Sequence, residues 1–172
     1  MRWLAPALAL WVGAGYASSS DATGVRTRAD DTTSQTRVRL CELRAVDARS
    51  QRELGRWPLN PKMPEVRIAF EHSVLGTTVI DRYRFTPQPV LVEEEFEGEG
   101  YGLPAAAQDG EQLLREGSRQ RLLLHRPVAP LTVRALATQR MRLLMPQGEL
   151  LLASLGAASV TLDAPGCPMA GP

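Results

Sequence analysis

From Val66 to Phe96 the chain alternates. Val66, Ile68, Phe70 and His72 occupy every second position, with Arg67, Ala69 and Glu71 between them. After a short loop containing Gly76, Val79, Asp81, Tyr83 and Phe85 alternate with Ile80, Arg82 and Arg84. Past a turn at residues 86–89, Val90, Val92 and Phe96 alternate with Leu91, Glu93 and Glu95. A period of two sends successive side chains to opposite faces of an extended strand, so each run reads as a half-buried strand. The loop at residues 73–77 has hairpin length. The same rule places His72 on the apolar face of its strand. It places Asp81 between Val79 and Tyr83, where a carboxylate is costly unless paired.

The rest of the chain fits this pattern. A first strand is expected over residues 38–46, then a turn at 47–52 and a short strand at 53–59. Pro58, Pro61 and Pro64 then make an extended connection. Residues 98–104 hold three glycines, Gly98, Gly100 and Gly102, followed by Leu103 and Pro104. Residues 105–118 are read as a surface loop. They have room for one helical turn near Glu111, which Gly110 and Gly117 disfavour. Further strands are expected at 121–124, 131–137, 140–145, 149–155 and 158–162. Turn signals every eight to twelve residues are the pattern of an antiparallel sandwich or barrel. The expected fold is therefore all-β, with one antiparallel β-sandwich or barrel-like domain over residues 37–164 and an irregular tail at 165–172.

The N-terminus predicts the compartment. Arg2 precedes an uncharged apolar run over residues 3–14, and Gly15-Tyr16-Ala17 puts small residues where a signal peptidase reads them. Residues 1–17 are thus expected to be a cleaved signal peptide. The run is shorter than the roughly 18–20 residues that span a bilayer, so no stable membrane span is expected after cleavage. Residues 18–36, rich in Ser, Thr and Asp, read as a disordered linker. The mature chain is expected in the periplasm or outside the cell. In an oxidising compartment the two cysteines, Cys41 and Cys167, invite a disulfide. The alternative is a buried free Cys41 and a loose Cys167. A net charge of +1 supplies no basic field for nucleic acid.

Candidate chemistry collects in the alternating stretch. Adjacent His72 and Ser73 point to opposite faces of a strand, so His72 is badly placed to take the Ser73 proton. His72 and Asp81 could instead pair across the hairpin. With Glu93 or Glu95 they could make an oxygen-rich metal site, or the group could simply be a polar cluster that locks the hairpin. Glu93, Glu95, Glu97 and Glu99 are sent to one face, with Arg82 and Arg84 as expected cross-strand partners. The glycines of 98–104 open no helix and so form no dinucleotide fingerprint. They make a tight turn, or a loop whose amides face a small anion.

These residues resemble a bacterial family of unknown function, the DUF1850 domain proteins. The resemblance rests on Phe70-Glu71-His72-Ser73-Val74, on Val79-Ile80-Asp81-Arg82-Tyr83, on Leu91 with Glu93 and Phe96, and on Gly100-Tyr101-Gly102-Leu103-Pro104. Leu131-Thr132-Val133-Arg134 resembles a later strand of the family. Asp81 stands where the family usually carries Glu. Members are often encoded beside tripartite ATP-independent periplasmic (TRAP) transporters of the TAXI type. The resemblance therefore implies a non-enzymatic accessory protein that meets the solute-binding protein or the permease, or binds a small ligand, with no cofactor and no metal. Its expected site is His72, Ser73, Asp81 and Glu93 with Gly100, Gly102, Leu103 and Pro104. The alternative is a small metal-dependent or hydrolytic enzyme centred on His72 and Asp81.

Overall fold

The computed structural model describes residues 40–85, 88–99 and 103–168. Eleven strands follow one another: β1 (Glu42–Asp47), β2 (Glu53–Pro58), β3 (Glu65–Glu71), β4 (Thr78–Phe85), β5 (Pro89–Glu97), β6 (Gln112–Glu116), β7 (Arg119–Pro127), β8 (Leu131–Arg134), β9 (Arg142–Met145), β10 (Gly148–Leu151) and β11 (Ser159–Asp163). They form two antiparallel sheets. One has four strands in the order β2-β1-β11-β8, the other seven in the order β10-β9-β3-β4-β5-β7-β6. Of the two architectures expected, this is the sandwich and not the barrel, since the two sheets share no paired strand among the described residues.

The core lies between the sheets. Leu43, Val160 and Leu162 come from the four-stranded sheet, and Ile68, Phe85, Phe96, Leu122 and Leu143 from the seven-stranded one; each is essentially without solvent exposure. Each such burial stabilises by about 1.5–3 kcal/mol, which explains why the alternation is kept in so many short strands. Leu152 seals one end from a 3₁₀ turn, Leu152–Leu155, and its amide donates to the Met141 carbonyl.

Turn chemistry accounts for the hairpins. Asp47 Oδ1 accepts the amides of Arg49 and Ser50 at 2.8 and 3.1 Å and closes the turn between β1 and β2. Gly76, at φ +67°, completes the β3–β4 loop. Gly117, at φ +66°, begins the two-residue turn between β6 and β7.

That last hairpin corrects the expected loop at residues 105–118. Gly110 and Gly117 do not break a helix there; they bracket β6, which pairs with β7 from Gln112 opposite Leu123 to Glu116 opposite Arg119. The later strands are also shorter than expected. β8 stops at Arg134 and β10 at Leu151, each followed by a 3₁₀ turn. Strand β7 is longer and contains His125, exposed on its far half.

Strand β5 departs from simple alternation. Arg82 pairs with Glu93 but Tyr83 pairs with Leu91, so Val92 is an extra residue and the strand bulges there. The bulge resets which side chains face inward. Leu91 and Phe96 enter the core, and Glu94, in register with Asp81, takes an inward place as well.

Candidate functional site

His72 ends the regular part of β3 and starts the hairpin loop. Its amide donates to the Thr77 carbonyl at 2.8 Å, and its carbonyl accepts the Gly76 amide at 2.9 Å. Its ring turns back over the loop, where Nδ1 lies 3.4 and 3.3 Å from the amides of Val74 and Leu75. The imidazole therefore faces the loop backbone and not the apolar strand face expected for it. Ser73, Val74 and Leu75 are exposed, Val74 by 66%. The histidine acts as a clamp that holds two apolar side chains out into solvent.

Asp81 is not its partner. Asp81 stands opposite Ile68 on β4, four residues along the chain from the Thr77 that His72 meets, about 13 Å at 3.3 Å per residue. The expected His72–Asp81 pair is thus not formed. Instead the Tyr83 hydroxyl donates to Asp81 Oδ2 at 2.8 Å. Asp81 Oδ1 is buried and has no partner among the described residues. Desolvation pushes the Asp81 carboxyl up to about 7, against the lowering effect of the Tyr83 bond, and Glu94 adds to the rise. Burial and the neighbouring Asp81 also push the Tyr83 phenol upward. Glu94 is raised by its own desolvation, opposed by Arg126 and reinforced by Glu111. Arg126 in turn meets Glu111 at 3.0 Å. Near neutral pH Asp81 can hold or release a proton, because burial disfavours its charged form.

Glu93 faces the other way. Its Oε2 accepts from Arg82 at 2.7 Å and from Arg121 at 3.0 Å. Burial opposes its charge, but the Arg121 and Arg82 guanidiniums outweigh that and hold the carboxyl below the usual range. Arg82 also meets Glu65 at 3.0 Å, and Arg84 meets the same carboxylate at 2.7 Å, so the expected partner of Arg84 on β5 is replaced by one on β3. Glu95 lies between Arg67 at 3.4 Å and Arg119 at 3.3 Å. The expected set of His72, Asp81 and Glu93 is thus distributed over a loop, an inner face and an outer face. Among the described residues no group of three acidic, histidine or cysteine side chains is arranged to hold a metal ion.

The family described as "Domain of unknown function (DUF1850)" matches residues 66–152, half of the chain. The chain belongs to the DUF1850 family. No curated protein and no solved structure matches it.

The DUF1850 match runs along the seven-stranded sheet from β3 to β10 and includes β8. Strands β1, β2 and β11 and both cysteines lie outside the matched residues. Cys41 and Cys167 form a disulfide, joining the start of β1 to the segment after β11. Of the expected glycine turn, Gly100 and Gly102 lie outside the described residues, as do the whole of the expected signal peptide and linker. Leu103 packs half-buried against the core, and Pro104 is half-buried beside it. Gly98, at φ +84°, donates to the Ser118 carbonyl and accepts from Gln120 Nε2, which ties the base of the turn to β7. Sequence reasoning missed Glu94 and Tyr83 as members of the buried cluster, and the exposed Arg126 as the charge beside it. The signal that could have found Glu94 is three consecutive glutamates in a strand, where at least one must face inward.

Proposed function

We propose that this DUF1850 protein is a non-enzymatic, extracytoplasmic accessory protein of a TAXI-type TRAP uptake system, and that it works by contact with the solute-binding protein or the permease. The observation that carries the contact reading is the β3–β4 tip. His72 clamps a loop that holds Val74 and Leu75 in solvent. An apolar pair held outward by a built-in clamp suits burial against a partner better than any role within the fold. The location is supported by the disulfide, which persists in oxidising compartments, and by the signal-like N-terminus. No helix of the described residues is long and apolar enough to cross a membrane. The transporter context is supported by the gene neighbourhood common in the resembling family.

The test is a crosslinking capture from periplasm and membrane, with the mature protein tagged at its C-terminus. Capture of the solute-binding protein or permease by the wild type, with loss in Val74→Ser/Leu75→Ser, is the expected result. A folded, abundant wild type that captures neither would overturn the proposal.

A further inference from the structure

We propose that the outward face of the seven-stranded sheet is a docking surface for a carboxylate-rich region of a partner protein. This rests on the contact reading above and names the partner chemistry. It uses residues that play no part in the hairpin clamp.

The face is built in two levels. Glu93 and Glu95 form the floor, with side chains only 9% and 18% exposed. Four arginines lean over them from three neighbouring strands: Arg67 from β3, Arg82 from β4, and Arg119 and Arg121 from β7. Their side chains are 45%, 26%, 55% and 36% exposed. Each floor carboxylate is shared by two guanidiniums, Glu93 by Arg82 and Arg121 and Glu95 by Arg67 and Arg119. A guanidinium carries five N–H donors, and Arg67 and Arg121 spend only a fraction of theirs on the floor, while Arg119 divides its own between Glu95 and Glu97. A partner arriving from solvent therefore meets the outer N–H donors first, with Glu116 on the rim of the same recess and Glu97, 60% exposed, 3.9 Å from Arg119 beside it. Cross-bracing holds the guanidiniums in place before binding, which lowers the ordering cost of association.

The recess is shallow, about 450 Å³, and open along the sheet. Ligand sites for small molecules enclose most of their ligand's surface. A small carboxylate here would be touched from one side and keep much of its water. A broad surface bearing several Asp or Glu side chains could instead engage the arginines together, with the bidentate geometry that favours guanidinium over ammonium. Glu95 and Arg119 also border a second groove that continues to Thr78, Ile80 and Gly76 at the base of the hairpin. The second groove thus reaches Gly76, next in the chain to the outward Leu75, from the Arg119 that it shares with the first. Apolar anchors beside arginines are the composition of energetically important interface residues.

The test uses the mature protein with its disulfide intact. The probes are a fluorescent peptide of alternating Glu and Ser, its Gln/Ser counterpart and succinate, at about 20 and about 300 mM salt. Expected is binding of the acidic peptide alone at low salt. That binding should weaken roughly tenfold or more at high salt and in Arg67→Glu/Arg119→Glu, and stay unchanged in Arg134→Glu on the other sheet. If the double reversal does not fold, Arg67→Gln/Arg119→Gln replaces it. Equal loss in Arg134→Glu, binding of succinate as tight as that of the peptide, or no peptide binding at low salt each overturns the inference. The two proposals fail separately. Partner capture that survives Arg67→Glu/Arg119→Glu but not Val74→Ser/Leu75→Ser sinks the arginine surface and leaves the accessory role. Acidic-peptide binding with no partner captured by the wild type sinks the accessory role alone.

Discussion

Asp81 on β4 and Glu94 on β5 stand opposite each other across one rung of the seven-stranded sheet, two carboxyls in register on its inward face. Both are pushed upward by burial, Asp81 to about 7. The sign of the stability effect follows. Unfolded, Asp81 titrates near its ordinary value of 3.8; folded, it keeps its proton to about 7. Between those values the folded state binds more protons, so this group makes the protein less stable as pH rises through that window. The penalty is absent below the unfolded value and complete above about 7, and is on the order of 4 kcal/mol. Asp81→Asn keeps an acceptor for the Tyr83 hydroxyl and removes the charge. The expected result is a melting temperature that gains more at pH 8 than at pH 5. A wild type that grows more stable from pH 5 to 8, with no change in slope on substitution, would contradict it.

The disulfide closes a loop across a sequence separation of 126 residues. For a closure of that length the chain-entropy account gives about 4–5 kcal/mol. Cys41→Ser/Cys167→Ser should lower the unfolding free energy by that order, measured by denaturant titration. Gly166 is expected to be part of the same device. A Cβ placed there would collide with the Leu40 carbonyl oxygen, so the tail comes this close to the start of β1 only because residue 166 has no side chain. Gly166→Ala should therefore destabilise the disulfide-bonded protein while leaving the Cys41→Ser/Cys167→Ser variant almost untouched.

The hairpin clamp makes a chemical distinction that can be read out. His72→Ala removes the acceptor for the Val74 and Leu75 amides and should cost about 0.5–1.5 kcal/mol. His72→Asn can close the same turn with its side-chain oxygen, as Asx turns do, and should restore most of the loss. Amide hydrogen exchange at Val74 and Leu75 should speed up in the alanine variant and return toward wild type in the asparagine variant. Equal exchange in all three would show that the ring does not hold the loop.

What could be read from the sequence, and what could not, follows from the range of each signal. Alternation is a local signal, and it placed β3 and β4 and put Asp81 on the inner side between Val79 and Tyr83. It also anticipated the Arg82–Glu93 pair. It failed at Val92, because a bulge arises from how β5 fits two neighbours at once, and no residue in Leu91-Val92-Glu93 announces it. Alternation also failed at β6, whose Leu113 and Leu114 are adjacent and show no period; β6 exists because Gly117 turns the chain back onto β7. His72 was misplaced for a similar reason. Its position continues the period of β3, but the strand ends where Glu71 meets Thr78, and the ring then serves the loop. The choice between sandwich and barrel depended on pairings between distant residues, such as Arg44 opposite Asp163, that periodicity does not encode.

The outer network makes a prediction about asymmetry. Glu93 accepts both of its arginines at one oxygen, with its side chain 9% exposed. Arg82 has Glu65 in reserve, whereas Arg121 has no second ion pair among the described residues. Glu93→Ala therefore strands one guanidinium and opens a gap in the floor of the sheet, and should cost about 1–3 kcal/mol. Arg121→Ala leaves Glu93 bound to Arg82 and removes a side chain that is 36% exposed, so its cost should be within about 1 kcal/mol, the range of exposed pairs. Because Glu93 is held below the usual carboxylate range, its contribution is present at neutral pH and is lost as pH falls through that lowered value, opposite in sign to the effect of Asp81. Chemical denaturation of both single mutants and the double mutant at neutral pH measures the coupling directly. A loss in Arg121→Ala equal to that in Glu93→Ala would mean that the two act only as a pair and that the Arg82–Glu65 arm does not compensate.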